Sequence, residues 1–406
     1  PENQKGTHQY QMSPNAKYAI HTFSSANEVP IIELVELPRH KVIRTLVENV
    51  KLKEKIDALK KLPTEFFRVN IGEGVILDGW QIKPPDFVPS IKYPLMFHVY
   101  GEPAGQTVLD RGGGRGYLWH LMLAQLGYLV MSIDNRGTPA PRGREWRKCV
   151  YGQIGILASK DQAAAANIIT NWDYVDKDRV GIWGWSGGGS MSLNMIFRYP
   201  DLYRTAMSVA PVGNQRFYDT IYTERYMRTP DENPNGYDDN SPFNYPELLK
   251  GNYLIIHGSA DDNVHVQNTM RMVEALIQAD KQFEWAIYPD KNHSIYGGNT
   301  RLHLFKKMTN FIHEHLGDKI QDMYTNTSSV TSYNQTSFVA QPTMVKESTD
   351  VKTTNVQSKS GNTSLENEVL KEEEPVKKLT KNQIRRNNIK KAKELRKQQK
   401  IKEKTN

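Results

Sequence analysis

The chain has 406 residues, 38% of them hydrophobic and 24% charged, which suffices for two or three domains. No apolar run approaches the roughly 18 residues of a membrane span, and the single cysteine, Cys149, excludes a disulfide within the chain while leaving the compartment open. The net charge of +8 is concentrated beyond residue 316, where Lys and Arg outnumber Asp and Glu by 18 to 11; the basic balance therefore does not mark the preceding part as a nucleic-acid surface.

The chain opens PENQKGTHQY, with neither an initiator methionine nor an apolar signal core, so a fragment or processed product is expected, with any targeting signal upstream. Residues 10–37 read as two or more strands, KYAIHTFSS and PIIELVEL, turning around Asn27. VENVKLKEKIDALKKL predicts a helix ended by Pro63, and FFRVNI with VILDGWQIKP predicts a hairpin around Gly72-Glu73-Gly74. From residue 93 the rhythm becomes strand, helix, strand. Strands are expected at YPLMFHVYG, YLVMSIDN, RVGIWG, RTAMSVAP, NYLIIHGSA and FEWAIYP. Helices are expected at GYLWHLMLAQLG, KDQAAAANIITNW, SGGGSMSLNMIFRYP, NVHVQNTMRMVEALIQAD and NTRLHLFKKMTNFIHEHL. Such alternation predicts an α/β fold, a mostly parallel sheet covered on both faces by helices, with the chemistry at the carboxyl ends of the strands. The remainder, residues 317–406, reads as a disordered basic tail: NTSSVTSYNQTSFVAQPT is too poor in apolar residues to offset the entropy of ordering. For its last block, KKLTKNQIRRNNIKKAKELRKQQKIKEKTN, a solvated tail is the first reading and contact with RNA or anionic lipid the alternative.

Residues 181–193, GIWGWSGGGSMSL, set one serine among glycines between an expected strand and an expected helix. A linker would not join two packed elements. A phosphate loop would need Lys and then Ser or Thr after its last glycine, where Ser190 and Met191 stand. Gly184-Trp185-Ser186-Gly187-Gly188 fits G-x-S-x-G, the turn on which a nucleophilic serine projects outward while small neighbours relieve the crowding.

A serine hydroxyl needs a base to take its proton, and the base needs an acid to fix its tautomer. On this scaffold the order is Ser, then Asp or Glu, then His. Asp261 and Asp262 follow the strand ending near His257; Asp261 is assigned to the triad and Asp262 to capping the next helix. His293 follows the next strand directly and is assigned as the base. His257, His265, His303, His313 and His315 lie in or at the ends of expected strands and helices rather than in the loop where the base belongs.

Together GWSGGG, APVGNQRFYDTIYTERYM, HGSADDNVH and NHSIYGGNTR resemble the prolyl oligopeptidase family of serine peptidases, most closely its dipeptidyl peptidase IV branch, over roughly residues 10–316. The resemblance implies an α/β-hydrolase catalytic domain at 51–316, preceded at 1–50 by the last strands of a β-propeller and followed by the tail at 317–406. It implies Ser186 as nucleophile, His293 as base and acid, Asp261 as orienter, and an oxyanion hole made by the Tyr100 hydroxyl and the Gly187 amide. Tyr218, Tyr222, Val212 and Val264 would wall a pocket for proline, and Asn263 would bind a substrate carbonyl. Peptides with proline or alanine in the penultimate position would be cleaved to release amino-terminal dipeptides, without a metal or cofactor, by an exported enzyme, periplasmic or on the cell surface, that could form a homodimer. An acylaminoacyl peptidase or esterase on the same scaffold, or a non-catalytic binding protein, are the alternatives. Two positions depart from the family pattern: Gly187 stands where better-known members carry tyrosine, and Gln215 where an aromatic is common. The glutamates that hold a substrate's amino group in the family belong to the propeller; Glu33 and Glu36 lie in a strand expected to close its last blade.

Overall fold

The structure, a computed structural model, describes residues 4–114 and 116–317. The segments expected to form the basic tail lie outside the described residues.

Four strands, β1 (Thr7–Met12), β2 (Tyr18–Ser25), β3 (Glu28–Glu36) and β4 (Lys41–Val47), form an antiparallel meander in chain order. Its inward and outward faces follow the two-residue period of a strand: Ala19, His21 and Phe23 are buried, while Tyr18 and Ile20 are exposed. A four-stranded antiparallel unit is also the building block of a propeller blade. Buried Glu33 is engaged within the meander, 3.2 Å from Nδ1 of His21.

The helix expected from Val47 to Leu62 is shorter than its charge pattern suggests. KVIRTLV pairs with β3 as β4, Asn49 turns the chain at φ 54°, and α1 covers only Val50–Asp57. Val47 alone of the expected helix joins the strand, where β-branched residues meet an available sheet edge, and the helix stops at Asp57, five residues short of Leu62.

The second sheet has eight strands. The hairpin β5 (Glu65–Asn70) and β6 (Ile76–Ile82) comes first, then β7 (Tyr93–His98), α2 (Tyr117–Gln125), β8 (Leu129–Asp134), α3 (Gly143–Lys148) and α4 (Ile156–Ile169). They are followed by β9 (Val175–Trp185), α5 (Gly187–Arg198), β10 (Thr205–Val209), α6 (Thr220–Met227), α7 (Pro234–Asp239), β11 (Asn252–Gly258), α8 (Gln267–Gln278), β12 (Glu284–Tyr288) and α9 (Thr300–Leu316). The order is β12-β11-β10-β9-β7-β8-β6-β5, antiparallel at β5–β6 and β6–β8 and parallel elsewhere. The inner strands are buried on both faces, which explains why they read as continuous apolar runs rather than alternating ones. Successive residues nevertheless serve different cores. Leu95 and Phe97 face α4, α5 and α8, while Met96 between them faces α2 and α9.

This topology creates the crevice that the chemistry needs. From β7 the chain adds β8 on one side and then returns to place β9 on the other, so β7 and β9 flank the point where strand order reverses. Ligands bind beyond the carboxyl ends of strands at such a switch point. His98 is paired with Trp183 across this junction, so Tyr100 and Ser186 emerge side by side just past it.

Candidate active site

Ser186 stands between β9 and α5, as the residue that caps the helix, with φ 59° and ψ −121°, a backbone state that costs a non-glycine residue about 1–3 kcal/mol. Its amide donates to Val209 O at 2.8 Å, which holds the turn against β10. The flanking glycines are required by close approach. A Cβ on Gly184 would lie 2.2 Å from Gly188 O, and one on Gly188 would lie 2.1 Å from Val99 O. The strain and the crowding are thus two aspects of one sharp turn.

The acid comes from the loop after β11. Asp261 is 6% exposed. Its Oδ1 accepts the amides of Asn263 and Val264, both at 2.9 Å, and its Oδ2 lies 2.8 Å from Nδ1 of His293 in the loop after β12. Burial pushes the Asp261 pKa up, but hydrogen bonds from His257, His293 and the Asn263 amide, with the His293 charge, outweigh it and hold the carboxyl well below its ordinary range. His257, whose place in an expected strand does not mark it as functional, is fully buried, and its Nε2 lies 3.1 Å from the same Oδ2 and 2.8 Å from Val264 O. Two acceptors at Nε2 require the proton there, so Nδ1 accepts from the Thr269 hydroxyl at 2.7 Å. The spacing of four between His257 and Asp261 was the available signal. Asp262, expected to cap the following helix, is exposed, and α8 begins without a side-chain cap. The Asx turn at Asp261 already supplies the local amide bonds.

The tie between the histidine loop and the serine turn is also absent from the sequence reading. Trp185, directly before Ser186, donates its indole N–H to His293 O at 3.0 Å. The Arg301 guanidinium lies over the same indole at 4.8 Å and donates to Ser294 O. The Ser186 hydroxyl itself makes no hydrogen bond to His293 among the described residues; such bonds are often long before substrate binds.

On the β7 side, the Tyr100 ring is fitted between two glycines. A Cβ on Gly187 would lie 3.1 Å from its Cζ, and one on Gly105 would lie 3.0 Å from its Cε1. Burial, then Glu102, Tyr218 and Tyr226, raise the Tyr100 pKa well above the usual value, so its hydroxyl keeps its proton and can donate. The Gly187 amide belongs to the first turn of α5 and has no acceptor within the helix. Of the residues expected to wall a pocket or bind substrate there, the two tyrosines and Asn263 meet. Tyr218 donates to Asn263 Oδ1 at 3.0 Å, Tyr218 and Tyr222 meet edge to face at 5.4 Å, and Val212 and Val264 are buried.

The structure adds one residue to this group that the sequence reading did not single out. Glu102, two residues beyond Tyr100, is 6% exposed and accepts the Tyr222 hydroxyl at 2.8 Å. Burial pushes its carboxyl up to about 7, against the opposing effect of the Tyr222 hydrogen bond. Elsewhere, Glu284, Glu314 and His315 bring ligand atoms within 4.8 Å of one another, but Glu284 is already paired with Lys307 at 2.8 Å.

A mixed sheet wrapped by helices, with a serine on a strained strand-to-helix turn at its switch point, is the α/β-hydrolase arrangement. The model of the prolyl oligopeptidase family matches residues 117–319, half of the chain, and the chain belongs to that family. The crystal structure of Porphyromonas gingivalis dipeptidyl peptidase 4 matches it with a TM-score of 0.74 and 46% identity, over 77% of this chain and 44% of that one. A protein of Emericella nidulans named "Probable dipeptidyl-aminopeptidase B" is 36% identical over 315 residues, 76% of this chain and 34% of the relative. The Aspergillus fumigatus protein of the same name is 38% identical over 270 residues, 65% of this chain and 29% of the relative. The chain thus spans about a third of the length of the curated relatives it matches. Among the described residues, no helix is long and apolar enough to cross a membrane.

Proposed function

We propose that this chain carries the catalytic unit of a serine peptidase that cleaves after proline or alanine and releases amino-terminal dipeptides. The observation that carries the reading is the strained Ser186 turn, with the Asp261–His293 pair fastened beside it through Trp185. Ser186 Oγ attacks the scissile carbonyl while His293 Nε2 takes its proton, and Asp261 holds the imidazole in the tautomer that leaves Nε2 free to do so. The oxyanion is received by the Tyr100 hydroxyl and the Gly187 amide; one such donor is worth about 2.7–4 kcal/mol. His293 then returns the proton to the leaving amine, and water attacks the acyl-enzyme by the same route in reverse.

Tyr218, Tyr222, Val212 and Val264 form the P1 pocket of this reading, and Asn263 is the contact for a substrate carbonyl. Residues 1–50 are assigned to a propeller, 51–316 to the peptidase, and 317–406 to a tail. The edge-to-face tyrosines support a flat, apolar P1 residue, since rigid rings bury area at little entropic cost.

Labelling with a fluorophosphonate, followed by turnover of Gly-Pro-p-nitroanilide and of a simple ester, tests the proposal. Ser186→Ala should abolish labelling and lower amide turnover by at least a thousandfold with the fold retained. Labelling that persists in Ser186→Ala would place the nucleophile elsewhere, and turnover of the ester without the amide would favour an esterase.

A further inference from the structure

Gly187 and Glu102 stand in steric reciprocity. The resemblance to the family leads one to expect a large side chain after the nucleophile, and this chain has none. A Cβ at Gly187 would lie 2.9 Å from Glu102 Oε2, 3.0 Å from its Cδ and 3.1 Å from Tyr100 Cζ. The first atom of any side chain at 187 would therefore meet the Glu102 carboxyl. That carboxyl also reaches Tyr222 at 2.8 Å, so it touches two sides of the P1 pocket. Among the described residues, Tyr222 is its one hydrogen-bond partner. A carboxyl has room for several more bonds, and covering it with substrate leaves them unmade unless the substrate supplies a group.

Resting on the peptidase reading above, we propose that Glu102 is a specificity-determining residue: its carboxyl takes the space released by Gly187 as a polar wall of the P1 pocket and favours hydroxylated proline over proline at P1. A proline ring has no donor to give, so its entry desolvates the carboxyl without compensation. A ring hydroxyl of the same overall shape satisfies it. Sites built to bond a substrate hydroxyl discriminate strongly against the analogue that lacks one, because their own polar group is then left unpaired. A neutral hydroxyl suits the pocket better than a lysine ammonium for two reasons. Among the described residues, the groups facing the carboxyl are the phenols of Tyr100, Tyr218 and Tyr222 rather than charged side chains, and burial holds the acid largely neutral below about pH 7. A buried ammonium needs a full counter-charge.

The test compares kcat/KM for Gly-Hyp-, Gly-Pro- and Gly-Lys-p-nitroanilide, where Hyp is 4-hydroxyproline, between pH 6 and 8. The wild-type chain should prefer Hyp to Pro by about tenfold, the size of one hydrogen bond to a charged or buried partner. Glu102→Gly should bring the ratio to about one or below, chiefly by loss on the Hyp substrate. Glu102→Gln, which keeps shape and bonding capacity and cannot ionise, should retain a preference that is the same at pH 6 and pH 8. Equal ratios in wild type and Glu102→Gly, with both amides cleaved, overturn the P1 assignment alone; so does a preference for Gly-Lys over both imino acids. A wild-type chain that labels with fluorophosphonate yet cleaves neither amide overturns the peptidase reading instead. The steric part is read without peptide: Gly187→Ala should slow fluorophosphonate labelling at least tenfold, and adding Glu102→Gly should restore it to within about threefold. Absence of that rescue, with both variants folded, removes Glu102 from the Gly187 wall.

Discussion

The buried Glu102 carboxyl should leave a signature in the pH dependence of stability. A free glutamate titrates near 4.5, and burial in the folded chain moves Glu102 up to about 7. Between those values the folded state holds a proton that the unfolded state has released, so stability falls as pH rises. The contribution is fully present below about pH 4.5 and is lost as pH passes through about 7. A difference of about 2.5 pH units at 1.36 kcal/mol each gives roughly 3 kcal/mol. Glu102→Gln keeps the volume and cannot ionise. Urea unfolding monitored by tryptophan fluorescence at pH 5 and pH 8 should show wild type losing about 2.5 kcal/mol relative to Glu102→Gln over that interval, the remainder having gone by pH 5. Denaturation midpoints convert to free energy through the m-value, which should be the same for the two proteins. Parallel pH profiles for the two chains would mean that Glu102 is ionised in the fold, and the argument from burial would fail.

Trp185→Phe removes the indole donor to His293 O while keeping a ring beneath Arg301; kcat should fall about fivefold, the equivalent of one ordinary hydrogen bond, with KM nearly unchanged, and steady-state kinetics would expose an error as an unaltered kcat. Tyr100→Phe should lower kcat by about a hundredfold or more with little change in KM, because the hydroxyl acts on a charge that exists only in the transition state; loss confined to KM would return Tyr100 to a packing role. Asp261 titrates below its ordinary 3.8 in the fold, so its stabilisation is present above that value and is lost as pH falls through the folded-state pKa; the stability gap between wild type and Asp261→Asn should therefore close on acidification from pH 5, as seen by circular dichroism, and a constant gap would contradict the sign.

Much of the architecture was legible in the chain because local patterns and global fold agree there. β7, β8, β10 and β11 are buried on both faces, so continuous apolar runs identified them, and the elbow glycines at 184 and 188 announced a turn into which no side chain fits. β4 went unread because the partner of KVIRTLV, β3, is not revealed by any local pattern, and the helix expected over 47–62 was overestimated at both ends, since only Val50–Asp57 is helical. Ser186, Asp261 and His293 could be proposed from order alone, since each follows a strand of a parallel sheet and the carboxyl ends of those strands lie together.

The residues that only the tertiary structure disclosed share one property: their meaning lies in a partner distant in sequence. Glu102 in VYGEP is an unremarked acid until Tyr222 donates to it and Gly187, from another strand end, leaves it room. Trp185 reads as a strand aromatic until its N–H is found on His293 O, 108 residues away. His257 lies close to Asp261 in sequence, yet it needed the turn between them to become a second donor to the same carboxylate oxygen. Spacing along a chain encodes turns and faces, which depend on near neighbours. Who hydrogen-bonds whom across a crevice depends on the register of β7, β9, β11 and β12, and that is decided only when the sheet closes.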